Sequence, residues 1–270
     1  MKERKVKMKR AITVWLAGTL AVLGLAGCRS AVDYGKLVEG THPERVPEEY
    51  RYTIRVADPD VLPDLSNFNA AGWNNAETGV ISNFRFDKNL QSLYMPETKF
   101  RMLYGQEGIY VIFLVHDKYV RAVADNQGAT WADSCVELFL QPPNSRFYWN
   151  FEVNAGGNVL CTYRSSNELE SRWLTDDELA SLNITTNLPN KIEEPLDYPV
   201  SWTLGFFIPY DLLSEYYGED ISAGSLAGAT WRGNLYNCGY TPGNPHWAAW
   251  AWVPEIAFHV PTYFGYLQFE

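Results

Sequence analysis

From Tyr50 onward the chain alternates apolar and polar residues with a period of two, interrupted at intervals by Gly, Pro and Asn. The stretch FYWNFEVN (147–154) shows it most clearly. Phe147, Trp149, Phe151 and Val153 share one side of an extended strand, and Tyr148, Asn150, Glu152 and Asn154 share the other. SCVELFL (134–140) repeats the pattern, with Val136, Leu138 and Leu140 opposite Cys135, Glu137 and Phe139. Similar runs predict strands at 50–56, 158–164, 201–210, 231–239, 246–252 and 263–269. TKFRMLY (98–104) and IYVIFLVHD (109–117) flank Gly105-Gln106-Glu107-Gly108 and predict a hairpin. Its second strand is apolar on both faces, as expected of a strand covered on both sides.

Helical signals are few. Thr175 and Glu178 stand at capping-box spacing before ELASL. Pro209 opens DLLSEYY, and Gly218 closes it. The prediction is therefore an all-β domain over 50–270, a single antiparallel β-sandwich of jelly-roll type with two short helices.

The first 49 residues follow no such pattern. A basic segment (2–10) precedes an apolar run (11–25), too short to span a bilayer comfortably. Leu25-Ala26-Gly27-Cys28 follows, and the whole resembles a bacterial lipoprotein signal. The resemblance implies cleavage after residue 27 and lipid on Cys28. The alternative is an ordinary secretory signal with an incidental Cys. Residues 28–49, with Pro43 and Pro47, read as a tether.

Cleavage would leave 16 basic and 31 acidic side chains, a net charge of −15. Such a surface repels phosphate backbones, which argues against a nucleic-acid partner and against charge-driven lipid binding. The chain has no CxxC and four dispersed His, which offers no zinc or haem-attachment motif. Cys135, Cys161 and Cys238 are too few for a disulfide framework, although Cys135 and Cys238 share strand parity and could pair. Asp58, Asp60 and Asp64 fall in one loop and could hold a structural calcium; no cofactor is required.

Aromatic residues make up 15% of the chain, including 10 Trp, enough for either a dense sandwich core or a sugar-stacking surface. In WRGNLYNCG (231–239), Arg232, Asn234, Tyr236 and Cys238 share a side. If this strand neighbours 134–140 and 147–154, one polar patch results: Glu137, Asn150, Glu152, Asn154, Arg232, Asn234 and Tyr236. Carboxylate, guanidinium and amide groups supply the donors and acceptors that vicinal hydroxyls need. The same residues would also suit the outer face of a half-wetted sheet.

The run Trp131-Ala132-Asp133-Ser134-Cys135-Val136-Glu137-Leu138-Phe139 resembles a W-x-x-D-S-V-E-x-F segment of family 9 carbohydrate-binding modules. Leu103-Tyr104, Gly108 to Val111, Val115 to Asp117, Phe151 to Asn154 and Phe264 to Leu267 are similar to further segments of that family, in order. Ile81 to Arg85, Trp231 to Cys238 and Pro245 to Trp250 resemble its lipoprotein form in Bacteroidetes. The resemblance implies a β-sandwich that binds sugar between two aromatic rings. It matches Trp131 to one ring and Glu137 to a sugar-binding carboxylate. Two positions depart from the family: Glu152 stands where an Arg is usual, and Tyr236 where a Gln is usual. The second aromatic position falls on Phe258, with Trp250 close in sequence. Arg232 is then the candidate to supply the missing guanidinium.

The expected function is non-catalytic binding of an oligo- or polysaccharide by an envelope lipoprotein. Its setting would be the outer membrane, within polysaccharide utilisation, alongside glycoside hydrolases. Catalysis is not expected, because Glu137 and Glu152 read as two ionised groups on an open sheet. A protein-interaction module is the main alternative. A haem-binding sandwich is disfavoured because no Met–His pair stands out.

Overall fold

A computed structural model describes residues 50–85, 94–167, 169–240, 244–253 and 256–270. Cys28 and the tether lie outside them. Among the described residues, fourteen strands build the fold: β1 (Arg51–Val56), β2 (Gly79–Ile81), β3 (Asn83–Arg85), β4 (Glu97–Tyr104), β5 (Gly108–Ala122), β6 (Cys135–Gln141), β7 (Phe147–Asn154), β8 (Val159–Ser165), β9 (Ser171–Trp173), β10 (Thr185–Thr186), β11 (Ile192–Pro209), β12 (Thr230–Gly239), β13 (His246–Ala249) and β14 (Gly265–Phe269). One sheet runs β9-β8-β7-β6-β12-β14-β1 and the other β1-β4-β5-β11-β10.

β1 belongs to both sheets. Arg51 to Ile54 pair with β14, and Arg55 and Val56 pair with β4. Both pairings are parallel, so the sandwich is mixed rather than purely antiparallel. The long segment between β1 and β4 permits this, because a parallel partner needs a crossover and cannot be reached through a tight turn. The 98–117 hairpin forms as expected, with Tyr104 opposite Ile109.

The inner faces make the core. Val136, Leu138, Trp149 and Phe151 from one sheet cluster with Val111, Phe113, Trp202 and Phe206 from the other. Ile112 lies outside this core, among Phe68, Trp73 and Leu103, with Leu114 packed against them. The loop after β1 thus buries the outer face of β5, which explains a strand apolar on both sides.

Helix α1 (Asp176–Ser181) begins at Thr175 with a complete capping box. Helix α2 (Tyr210–Tyr217) begins after Pro209 and ends at Gly218, whose φ of 82° suits glycine. A third helix, α3 (Ala223–Leu226), is one capped turn, too short to leave a periodic signal.

The outer face of β6, β7 and β12 differs from a half-wetted sheet. Phe139, Tyr148 and Tyr236 pack there with Ala249, Val253 and Phe264, so a third layer covers them. Asn150, Asn154, Asn234 and Tyr236 are fully buried. Asn234 fills the notch where β12 changes partner from β14 to β13. Its Oδ1 accepts the backbone N–H of Leu235 (2.9 Å) and Ala251 (2.8 Å), and its Nδ2 donates to the Ala251 carbonyl (3.1 Å).

Asn234→Ala would strand those three backbone groups in a dry layer, at about 1–3 kcal/mol for each that finds no new partner. The expected outcome is a loss of about 3 kcal/mol in urea unfolding, with the denaturant slope unchanged.

Candidate functional site

Not all of the outer face is covered. A cavity of about 390 Å³ remains at the β13 end of β6, β7, β8 and β12, within the range of small-ligand sites. Trp131, Glu137, Glu152 and Phe258 line it, as do Thr162, Arg164, Trp173, Cys238, Tyr240, Trp247 and His259.

Trp131 sits on a single 3-10 turn, Thr130–Ala132, between β5 and β6. The turn is anchored below its tip. Thr130 Oγ1 donates to the Glu152 carbonyl (2.9 Å). Buried Asp133 accepts the N–H groups of Val123 (2.9 Å) and Ala124 (2.8 Å), Asn154 Nδ2 (2.9 Å) and Arg121 Nη1 (3.1 Å). These bonds leave Trp131 44% exposed on a fixed turn. Trp173, on edge strand β9, is 51% exposed. Tyr240 stands edge-on to both Trp131 (5.7 Å) and Trp247 (4.9 Å).

The floor is polar and dry. Glu137 and Glu152 are register partners on β6 and β7, each 3% exposed. Cys238 Sγ donates to Glu137 Oε1 (3.0 Å), and Asn150 Nδ2 donates to Glu152 Oε1 (2.6 Å). Asn150 is itself held by Thr162 of β8. His259 places Nε2 3.7 Å from Glu152 Oε1 and shares a hydrogen bond with the Tyr148 hydroxyl (2.8 Å). Burial and the Arg164 charge keep its imidazole neutral.

Two carboxyls so placed do not both ionise easily. Burial raises Glu137 well above the usual carboxylate range, and the Cys238 and Glu152 charges add to the effect. Burial also pushes Glu152 up to about 7, against the opposing pull of Asn150 and Arg164. Burial thus holds both carboxyls above the ordinary range, so they are not two ionised groups on an open sheet.

Several expected site residues lie elsewhere. Arg232 donates to the carbonyls of Phe264 and Gly265 and lies over Tyr266, because it sits at the far end of β12, opposite Gln141. The cavity's guanidinium is that of Arg164. Trp250 is packed edge-on to Tyr52 and Phe100 in the main core, so it offers no wall. Asn154 holds Asp133 and the turn at Gly156, and Asn234 completes the β12 ladder. Tyr236 supports the site from beneath: its ring stacks on Phe258 at 4.0 Å, and its hydroxyl donates to the Phe258 carbonyl.

Trp173 and Arg164 were hidden for local reasons. Trp173 stands in a three-residue strand amid a polar segment. Arg164 stands one residue before the end of β8, in a strand whose apolar residues read as core. Asp58 and Asp64 are used as turn caps, accepting Asp60 N–H and the N–H and hydroxyl of Ser66. Among the described residues, the acidic, His and Cys groups whose ligand atoms converge are Cys135, Glu137 and Cys238. Cys135 and Cys238 are register partners and free thiols.

The model of carbohydrate-binding family 9 matches residues 72–269. The fold is similar to that of a candidate carbohydrate-binding protein from Bacteroides uniformis ATCC 8492. The two share 28% identity at a TM-score of 0.70, over 82% of this chain and 99% of that one. It is also similar to a family 9 module from Caldicellulosiruptor kristjanssonii solved with glucose (12% identity, TM-score 0.54, 82% of this chain, 95% of that one). The same module solved with cellotriose matches at the same identity and TM-score, over 82% and 93%. No match was found among curated proteins.

A carboxyl whose pKa is higher folded than unfolded stabilises the fold most below its unfolded value and loses that contribution as pH rises through the folded value. For Glu152 the window runs from the ordinary 4.5 to about 7. Unfolding free energy should fall from pH 5 to pH 8 by on the order of 3 kcal/mol through this group. Glu152→Gln should make the slope shallower by that amount, with the Glu137 contribution remaining, measured by urea unfolding across that range.

Proposed function

The chain belongs to carbohydrate-binding family 9, and on that premise we propose that the cavity binds the end of an oligo- or polysaccharide chain without cleaving it. The observation that carries this reading is the pairing of two half-exposed tryptophans, Trp131 and Trp173, with a buried polar floor. Apolar C–H faces of a pyranose can lie on such rings, and its hydroxyls need both donors and acceptors. Arg164 donates, ionised Glu152 accepts, and protonated Glu137 can donate. Arg164 takes the role that Arg232 was expected to fill.

Raised carboxyl pKa values also suit acid–base catalysis, so the arrangement of the pair matters. Glycosidases place two carboxyls on either side of the scissile bond. Glu137 and Glu152 are adjacent on one sheet face, so a sugar above that face meets both from the same side. This favours holding a ligand over splitting it.

The reading extends to an envelope protein lipidated at Cys28 and held at the outer membrane, where it would present captured glycan to partner hydrolases. The N-terminal signal supports this part, and labelled fatty acid retained by wild type but not by Cys28→Ser would test it.

The Caldicellulosiruptor module was solved with glucose and with cellotriose, which makes β-glucans the first ligands to try. Calorimetry should show saturable binding to one member of a glycan panel that begins with cellotriose. Trp131→Ala and Trp173→Ala should each lower that affinity at least about tenfold, the effect of losing one stacking face. No reducing sugar should be released. A panel without a ligand, or variants that bind as tightly as wild type, would contradict the site.

A further inference from the structure

Two thiols at the cavity floor, beside Glu137, are not explained by sugar binding. Cys135 and Cys238 lie directly opposite each other on β6 and β12, and Glu137 stands two residues along the same face as Cys135. Their sulfur and carboxylate atoms all lie within 4.8 Å of one another. All three residues are buried, while Glu137 and Cys238 also line the cavity.

We propose that Cys135, Glu137 and Cys238 bind a thiophilic divalent cation of the zinc class, with one coordination position open to the cavity. Two thiolates and a carboxylate are an apt ligand set for such an ion, and three protein ligands with a vacant fourth place is the arrangement of an open zinc site. With metal–sulfur bonds of about 2.3 Å and metal–oxygen bonds of about 2.1 Å, tetrahedral ligands lie roughly 3.5–3.8 Å apart. Glu137 Oε1 and Cys238 Sγ are 3.0 Å apart as a hydrogen-bonded pair. They need to separate by only about half an ångström to admit the ion.

The carboxylate also distinguishes this site from a disulfide. A Cys135–Cys238 bridge would leave Glu137 without its thiol donor in a dry floor, which is costly. A bound cation instead joins all three groups. Binding releases both thiol protons, and the proton of Glu137 where it is protonated, so uptake should acidify a weakly buffered solution. The open position faces the cavity, where it would take water or a ligand oxygen. The proposal goes beyond the sugar reading and is tested without sugar.

The full chain in detergent, carrying Cys28→Ser, has Cys135, Cys161 and Cys238 as its only thiols. Titration of the reduced protein with Cd²⁺ should produce an ultraviolet thiolate-to-metal band that saturates at one equivalent. Cys238→Ser, with near-ultraviolet circular dichroism unchanged, should abolish the band, and Glu137→Gln should weaken binding at least about tenfold, the least that losing a group that merely orients a ligand usually costs. X-ray absorption of the Zn²⁺-loaded protein requires no variant and should show two sulfur neighbours near about 2.3 Å. A shell of oxygen and nitrogen alone would overturn the proposal. So would a band undiminished in Cys238→Ser, the absence of a band in the reduced wild type, or a Cys135–Cys238 disulfide in the protein as isolated.

Discussion

A buried polar face must find its partners within the protein, and the outer face of β6, β7 and β12 is governed by that constraint. A covering layer from β13 onward removes water from it. Each amide there then takes a fixed task. Asn234 completes a ladder, Asn154 holds Asp133, and Asn150 joins β8 to Glu152. Only where the cover stops do polar groups remain for another molecule, and that opening is the cavity. The same dryness that fixes the amides raises Glu137 and Glu152 and keeps His259 neutral. Position, rigidity and charge state of the site therefore share one origin.

This also shows what period-two alternation can and cannot reveal. It identifies two sides of a strand but not which side is wet. FYWNFEVN has a dry face and a polar face, and both are buried. Tyr148, Asn150, Glu152 and Asn154 therefore looked alike in the sequence, yet Glu152 alone of the four lines the cavity. The two sides of each strand and the 98–117 hairpin were legible, because hydrophobic pattern and turn chemistry specify them locally; the adjacency of β6, β7 and β12 entered only as a condition, and their register comes from the structure. The parallel insertion of β1 was not legible, because it depends on the far end of the chain.

The aromatic residues follow the same logic. Trp131 is marked by its segment, where Thr130 and Asp133 lock a short turn and force the ring outward. Trp250 lies in an equally aromatic stretch, but β13 ends at Ala249 and the chain turns inward, so the ring joins Tyr52 and Phe100. Trp173 carries no local mark, and its place on the cavity comes from pairing with Thr162 across β8 and β9. Arg232 and Arg164 differ likewise in where their strands carry them, not in chemistry.

The central claim is that one cavity, walled by Trp131 and Trp173, receives a sugar while the tryptophans of the core do not respond. Nitrogen-15 labelling of the indoles, followed by NMR during titration with cellotriose or the panel glycan that binds, tests it directly. The account predicts saturable shifts of the Trp131 and Trp173 indole signals, with those of Trp149 and Trp202 stationary. Binding that leaves both rim signals unmoved would contradict it.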